Sequence, residues 1–513
     1  MAIVETLELA GGRRVLRLQS PVDGSPIGEF PCADPDEVAA AIRAARAAQP
    51  AWAALDVRQR AAIVLRARDL VVERQDEIVA TVMRETGKSL QDTLSMEIFA
   101  SLDFMSYYAK RAAKMLAPTK VGLHGMMAMI KKLTVTYRPM GVVGVITPWN
   151  APFVLGINPT TQALLAGNAV ILKGSEVTPS ASLLVADIYR QAGLAEGLLQ
   201  VLTGDGRTGA ALVEGGVNKI SFTGSVPTGR RIGEACGRQL IPCTLELGGT
   251  DAMIVCDDVD VNMAADGVLI GSYMNCGQYC CGTQRVLALA GVYDDLVKSV
   301  ADKAATLRQG AKLGGDEDVG AVIWDKQVTI IERHVHDAVA KGARLLVGGK
   351  RSQALGGLYF EPTVLVDCTS DMLVMREETF GPVVAIQKVK DEEEAIRLAN
   401  AAECGLTGNV WSGDPNRAWR LAMRMEAGSV MINDMAVTYG LPEAPFGGVK
   451  ASGVGQVNGT DGLRGYCQSV PVITNRFKMK TLPAAYPYGI QKVATLRKTI
   501  RFLWASGLGR WFQ

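Results

Sequence analysis

The stretch Gly141-Val142-Val143-Gly144-Val145-Ile146-Thr147-Pro148-Trp149-Asn150 decides the fold. A continuous apolar, β-branched run ends in a turn containing proline, and a polar amide follows. A strand that is apolar at every position belongs in a sheet covered on both faces, which is the pattern of parallel sheets. Similar short runs recur at 169–172, 198–202, 219–222 and 253–255. Helical stretches at 160–166, 181–192 and 207–213 lie between them. Such alternation predicts an α/β fold built on a parallel sheet. A second strand–helix series occupies about 248–435, with strands near 345–347, 363–366 and 383–386. Toward the N-terminus, Asp34-Pro35-Asp36-Glu37 supplies an N-cap, a proline at the first helical position and acidic groups in the first turn. That signal predicts a helix to about Trp52, and a second long helix is expected over 57–84, stopped by Gly87. No repeat, low-complexity segment or long Gly/Ser linker separates these parts, so the units are expected to interleave.

Composition sets the outer limits. The 513 residues are 48% apolar and 21% charged, which is globular and argues against a largely disordered chain. A net charge of +2 argues against a generic nucleic-acid binder. The charge is uneven, however. Beyond residue 470 lie Arg476, Lys478, Lys480, Lys492, Arg497, Lys498, Arg501 and Arg510 and no acidic residue, which leaves 46 basic and 52 acidic residues in 1–470. Ten cysteines in so long a chain are too sparse for a disulfide framework. The N-terminus has no secretory pattern and no apolar run reaches about 18 residues. A reducing, bacterial-type cytoplasm is the expected compartment. Of the three histidines, His334 and His336 are two apart on a helical pattern and share no face, so no metal site is expected.

Two glycine turns follow strands. Gly204-Asp205-Gly206-Arg207-Thr208-Gly209 has the spacing of a dinucleotide fingerprint but lacks an acid at the end of the next strand, and it reads as a structural turn. Gly224-Ser225-Val226-Pro227-Thr228-Gly229 opens a helix whose N-terminus can hold a pyrophosphate.

Three further segments carry the chemistry: Thr147–Asn150 of the opening stretch, Leu245-Glu246-Leu247-Gly248-Gly249, and Asn275-Cys276-Gly277-Gln278-Tyr279-Cys280. In this order they resemble the aldehyde dehydrogenase superfamily. So do Phe222-Thr223-Gly224-Ser225 with Gly229, Glu377-Glu378-Thr379-Phe380-Gly381-Pro382, and Pro445-Phe446-Gly447-Gly448-Val449-Lys450 with Ser452-Gly453. The resemblance covers roughly residues 20–470. It implies an aldehyde-dehydrogenase-like α/β fold with three units: a Rossmann-like NAD-binding domain (1–119 and 139–247, with 437–470 returning to it), a catalytic α/β domain (248–436), and a small oligomerisation hairpin (120–138 and 471–476). It further implies a homodimer or homotetramer, and it leaves 477–513 as a basic tail.

At matching positions the resemblance makes Cys280 the nucleophile, Asn150 the oxyanion-stabilising amide and Glu246 the general base. It assigns Lys173 and Glu176 to the adenosine ribose, and Gly224, Ser225 and Gly229 to the pyrophosphate turn. Trp149, Glu378 and Phe380 go to the cofactor site, the last two on the nicotinamide-ribose side. The chemistry suits these residue types. A thiolate adds to the aldehyde, an amide and a backbone N–H stabilise the oxyanion, hydride leaves to NAD, and a carboxylate of raised pKa activates water against the thioester. The remaining nine cysteines read as small buried hydrophobes.

Several departures from the family pattern bear on specificity. Gly174 stands where proline is common, which is expected to loosen the turn but to leave Lys173 and Glu176 in place. Glu176 would repel a 2′-phosphate, favouring NAD over NADP. Thr250 replaces a common lysine. The presence of Glu246 favours hydrolysis over transfer to coenzyme A. Asn158 stands where members acting on succinic semialdehyde tend to carry arginine, and Ala151 where an aromatic is common. An uncharged medium- to long-chain or aromatic aldehyde is therefore expected, with succinate-semialdehyde dehydrogenase as the alternative. A structural or membrane-surface protein retaining the fold is the alternative of another class.

The tail places Ile490, Val493, Leu496, Ile500, Leu503 and Trp504 at helical spacing beside Lys492, Lys498 and Arg501. Gly507, Leu508, Trp511 and Phe512 follow as candidate interfacial anchors. Two readings stay open for it: packing along the subunit or a neighbour, or peripheral contact with the inner membrane surface.

Overall fold

The computed structural model describes residues 2–9, 12–435, 437–478, 480, 482 and 485–507. The positions named above at Leu508, Arg510, Trp511 and Phe512, and the domain boundary at 436, lie outside the described residues.

Two parallel sheets form the body. The first has six strands in the order Gly453–Val454, Cys243–Glu246, Lys219–Thr223, Val142–Ile146, Ala169–Lys173 and Leu199–Val201. All pair parallel except the Gly453–Val454 edge. Every residue of Val142–Ile146 and Ala169–Lys173 is buried, as expected for strands covered by helices on both faces. From its central strand the chain first moves outward to Ala169–Lys173 and Leu199–Val201. It then returns to the other side of Val142–Ile146 with Lys219–Thr223. This reversal opens a crevice at the C-terminal ends of the two strands, where doubly wound sheets bind their ligands.

The second sheet has seven strands, ordered Arg344–Val347, Thr363–Val366, Val383–Val389, Arg285–Leu289, Ala252–Val255, Thr407–Trp411 and Ser429–Ile432. Only the Arg344–Val347 edge runs antiparallel. Each parallel sheet has its own hydrophobic core. Ile3 belongs to the second core although it is near the N-terminus, and its N–H donates to Asp325 Oδ1 at 3.1 Å. A two-stranded pairing of Cys404–Gly405 with Val449–Lys450 and two antiparallel three-stranded sheets complete the fold among the described residues. One joins Val4–Glu8, Arg14–Gln19 and Pro26–Pro31; the other joins Cys467–Asn475, Lys131–Pro139 and Thr119–Val121.

The helix signals resolve in detail. Asp34 and Glu37 form a reciprocal capping box at 2.9 Å in each direction, and the helix runs Pro35–Ala53. The single helix expected over 57–84 is instead two, Val57–Glu73 and Gln75–Thr86. They part at Arg74, which leaves helical geometry (φ −103°, ψ 18°) while its guanidinium pairs with Glu77 and Asp187. Apolar periodicity passes through such a break because both helices bury the same side. Gly87 ends the second helix at φ 65°, and a β-carbon there would lie 2.7 Å from Ala321 Cβ. The small sheet also departs from the expected hairpin. Its returning strand begins at Cys467 rather than 471, and a short helix, Gly125–Ile130, divides 120–138. The tail forms one helix, Ile490–Ala505.

Candidate active site

Asn150 follows the central strand and precedes the helix Pro152–Leu165. It is buried, and its Nδ2 donates to the Gln278 carbonyl at 3.1 Å. Asn275 Nδ2 in turn donates to the carbonyls of Asn150 and Gln278, both at 2.8 Å. Gln278 Oε1 accepts the Ile323 N–H at 2.8 Å, and its Nε2 donates to Asn275 O at 3.0 Å. The loop holds three consecutive left-handed residues, Asn275 (φ 52°), Cys276 (φ 56°) and Gly277 (φ 70°). Only Gly277 lacks room for a side chain altogether: a β-carbon there would sit 2.0 Å from Gly381 O. Backbone conformations of this kind persist only where the surroundings over-determine them, and they cluster at functional sites. Here the hydrogen bonds of Asn275 and Gln278 supply that constraint and present Cys280 to a cavity of about 650 Å³.

Cys280 is partly exposed on this wall, whereas Cys276 and Cys281 are buried and burial pushes both thiols up. The Cys281 Sγ lies 3.6 Å from Cys280 Sγ. Glu246 ends its strand opposite Thr223 and faces the same cavity. Its side chain is an extreme case: the residue is 5% exposed, and neither carboxylate oxygen has a hydrogen-bond partner. Burial, reinforced by Cys280, holds its carboxyl well above the usual carboxylate range.

The crevice end of the cavity carries most of the expected cofactor residues. Thr223, Gly224 and Ser225 line it at the start of the helix Val226–Gln239, for which Ser225 is the N-cap residue. Gly224 N–H donates to Glu246 O at 2.9 Å, tying this turn to the neighbouring strand end. Across from it, Glu378 Oε1 accepts the Gly249 N–H at 3.3 Å, and burial raises the Glu378 carboxyl to about 7. Trp149 and Phe380 meet edge-to-face at 5.4 Å and form an aromatic wall. Lys173, Glu176 and Gly229 do not line the cavity. Gly229 packs behind it, where a β-carbon would lie 2.4 Å from Leu247 Cδ2. Lys173 ends the strand beside Val142–Ile146, its Nζ 3.7 Å from Glu176 Oε2. Burial lowers the Lys173 pKa and Glu176 opposes that shift. Gly174 is not a loose substitute for proline. A β-carbon there would sit 2.1 Å from Ser182 Oγ, so the turn is packed tightly. In the fingerprint-like turn at 204–209, Asp205 caps the following helix and pairs with Arg14 at 2.6 Å, which fits its structural reading.

The opposite end is apolar. Met96, Phe99, Val154, Leu155, Leu441 and Phe446 contribute to it, and Phe104, Tyr439 and Phe446 pack edge-to-face. Asn158 is engaged there: it donates to Tyr439 Oη at 3.1 Å and Asn458 Oδ1 at 3.2 Å, and accepts from Gln162 at 2.9 Å. Among the described lining residues none is Arg, Lys or His, while Asp103 is one of them.

A strut at 88–99, anchored by buried Lys88, Asp92 and Glu97, escaped the sequence reading. Lys88 Nζ and Glu97 Oε1 pair at 2.6 Å with both side chains 0% exposed. Glu97 Oε2 accepts the N–H groups of Phe153 (3.1 Å) and Val154 (2.9 Å), in the first turn of the helix that follows Asn150. Asp92 Oδ2 accepts the Asn275 N–H at 3.0 Å. One segment thus grips both the amide loop and the cysteine loop. Its Thr93–Phe99 portion is a π-helix, a distortion that recurs at functional sites. Neither the π-helix nor the backbone partners of Glu97, which are 56 and 57 residues away, leave a local sequence signal. His334 is buried with Nδ1 3.0 Å from Thr379 Oγ1. Among the described residues no group of three or more His, Cys, Asp or Glu is placed to hold a metal ion.

Comparison with known proteins finds relatives over nearly the whole chain. Residues 9–472 match the model of the aldehyde dehydrogenase family. A protein of Mycolicibacterium smegmatis, whose name assigns it to succinate-semialdehyde dehydrogenase with NADP(+), is 38% identical over 472 residues, 92% of this chain and 90% of its own. The 4,4'-diapolycopene aldehyde oxidase of Methylomonas sp is 35% identical over 487 residues, 95% and 91% of the two chains. A crystal structure of a Mycobacterium tuberculosis aldehyde dehydrogenase complexed with NAD+ superposes with a TM-score of 0.85 at 34% identity, covering 89% of this chain and 94% of that one.

Proposed function

The chain belongs to the aldehyde dehydrogenase family and oxidises aldehydes; on that premise we propose that its substrate is uncharged, a medium- to long-chain aliphatic or aromatic aldehyde. The observation that carries this reading is the cavity wall. Among the described lining residues an aldehyde bearing a distal carboxylate would meet no cation, and Asp103 would repel it. Apolar side chains instead reward burial of a hydrocarbon, at roughly 25 cal/mol per Å².

In the proposed mechanism Cys280 adds to the aldehyde carbon, and the Asn150 amide donates to the oxygen that becomes negative. A bound nicotinamide dinucleotide supplies the hydride acceptor. Glu246 then takes a proton from the water that attacks the resulting Cys280 thioester, releasing the acid. An unpartnered carboxyl in an apolar setting suits that work, because its raised pKa makes it a stronger base once ionised. The residues present fit a dinucleotide. The helix Val226–Gln239 starts at Ser225, which lines the crevice end, and a helix N-terminus there would suit a pyrophosphate. Glu378 would accept from a ribose, with Phe380 and Trp149 lining the same cavity. Lys173 and Glu176 would serve the adenosine ribose, with Glu176 disfavouring a 2′-phosphate, so NAD is the preferred form.

Residues 1–119, 139–247 and 437–470 would form the cofactor unit and 248–436 the catalytic one. The sheet containing Cys467–Asn475 exposes Val472 and Ile473 along an edge strand, and such edges invite pairing. A homodimer or homotetramer built on that sheet is the proposed assembly. The ten free cysteines support a reducing compartment such as a cytoplasm. Among the described residues no helix is long and apolar enough to cross a membrane.

A second reading, succinate-semialdehyde dehydrogenase, is favoured by the 38% identical relative. Specificity constants over a panel of aliphatic, aromatic and dicarboxylic aldehydes, each with NAD and NADP, separate the two. A preference for succinic semialdehyde would overturn the uncharged-substrate reading, and a preference for NADP would overturn the role given to Glu176.

A further inference from the structure

The helix Ile490–Ala505 differs from every other long helix of the molecule in what it leaves in water. At 3.6 residues per turn, Val493, Leu496, Ile500, Leu503 and Trp504 fall within an arc of about 100°. Leu503 is buried, but Val493, Leu496, Ile500 and Trp504 are 48%, 60%, 48% and 65% exposed. Body helices of similar length, such as Pro35–Ala53, bury their apolar stripe against a core.

Charge sits at the edges of the stripe. Lys492 borders one side, Arg497 and Arg501 border the other, and all three are exposed. No acidic residue follows position 470, so none lies within helical reach to neutralise them. An apolar face with long cations on both flanks lets the hydrocarbon stems follow the face down while the charged heads stay in water. Two copies of this helix laid face to face would bring like charges together with no acid between them. An anionic lipid surface answers both features at once: acyl chains for the stripe and headgroups for the cations.

We propose that Ile490–Ala505 docks the enzyme on an anionic membrane surface, lying in the interface with Val493, Leu496, Ile500 and Trp504 toward the acyl chains. The proposal does not depend on the substrate reading, although a surface-bound enzyme would be well placed to take apolar aldehydes from a bilayer.

Flotation of the full chain with vesicles tests it. The protein should float with phosphatidylglycerol–phosphatidylcholine vesicles, should not float with phosphatidylcholine alone, and should be released by high salt. The double variant Val493→Asp, Ile500→Asp should lose binding while keeping oxidation of a water-soluble aldehyde. The milder pair Arg497→Gln, Arg501→Gln should weaken partitioning roughly fivefold per charge removed. Failure of the wild type to float would overturn the proposal. So would undiminished flotation of both variants. A fall in particle mass by light scattering in the Ile500→Asp protein would also overturn it, showing that the stripe is covered by a second copy.

Discussion

Glu97 and Glu246 are both buried glutamates, 0% and 5% exposed, yet their regions treat them in opposite ways. In the strut, Glu97 has an ammonium partner and two backbone N–H donors, so each oxygen is satisfied. On the cavity wall, neither carboxylate oxygen of Glu246 has a hydrogen-bond partner. A fully paired buried charge holds structure in register, while an unpaired one is costly and is kept only where reactivity needs it. The strut ties down the loops that carry Asn150 and Cys280, and the proposed chemistry lies at the wall between them.

Four variants can break this contrast, beginning with the largest effect. Cys280→Ala sets the floor. Aldehyde-dependent NADH formation should fall about 10⁴-fold or more, the size typical for loss of a covalent nucleophile. Substantial residual oxidation would refute the whole assignment. Glu246→Gln should next cost about 10²–10⁴-fold in steady-state turnover while sparing the first half-reaction. Rapid-mixing kinetics should show close to one NADH per site followed by a slow phase. In the wild type, turnover should rise with pH through the raised Glu246 pKa, because only the ionised carboxylate accepts a proton. That limb should vanish in the variant. Its melting temperature should hold or rise, since an unpartnered carboxyl has been removed.

Glu97→Gln should show the reverse pattern. Leaving the Lys88 charge buried without its partner should cost about 3–5 kcal/mol of stability, read by denaturant unfolding. The NADH burst should persist at low temperature. A stable Glu97→Gln protein that fails in deacylation would erase the distinction between the two glutamates. Asn150→Ala, the smallest of the four, should lower kcat about 10²–10³-fold with little change in KM, as for loss of one oxyanion donor. An effect confined to KM would make Asn150 a ground-state contact.

Much of this was legible in the chain itself. Val142–Ile146 and Ala169–Lys173 announced the parallel sheet because strands buried on both faces leave no polar alternation. The ends of such strands mark the site, and Asn150, Glu246 and Cys280 do converge on one cavity. The substrate reading also began from single positions, Asn158 and Ala151. Where the reading ran on too far, at Arg74, the backbone leaves helical geometry at a residue ion-paired to Glu77 and Asp187, and periodicity encodes neither. Gly229 and Gly174 show the same limit. A glycine pattern says that a β-carbon is absent, while the neighbour that excludes it, Leu247 or Ser182, is known only once the chain is folded.

The sequence by itself determined the α/β class, the helix start capped by Asp34 and the charge break at residue 470. Each depends on local propensity, period or composition, which are properties of neighbours along the chain. Only the tertiary structure decided that Glu246 is unpartnered, that Glu97 and Asp92 clamp two distant loops, that the cavity wall carries no cation among its described residues, and that the tail stripe faces solvent. Those properties depend on which groups meet across tens to hundreds of residues and on how much water remains between them. Burial and pairing set the energy of a charge, and both are created by packing.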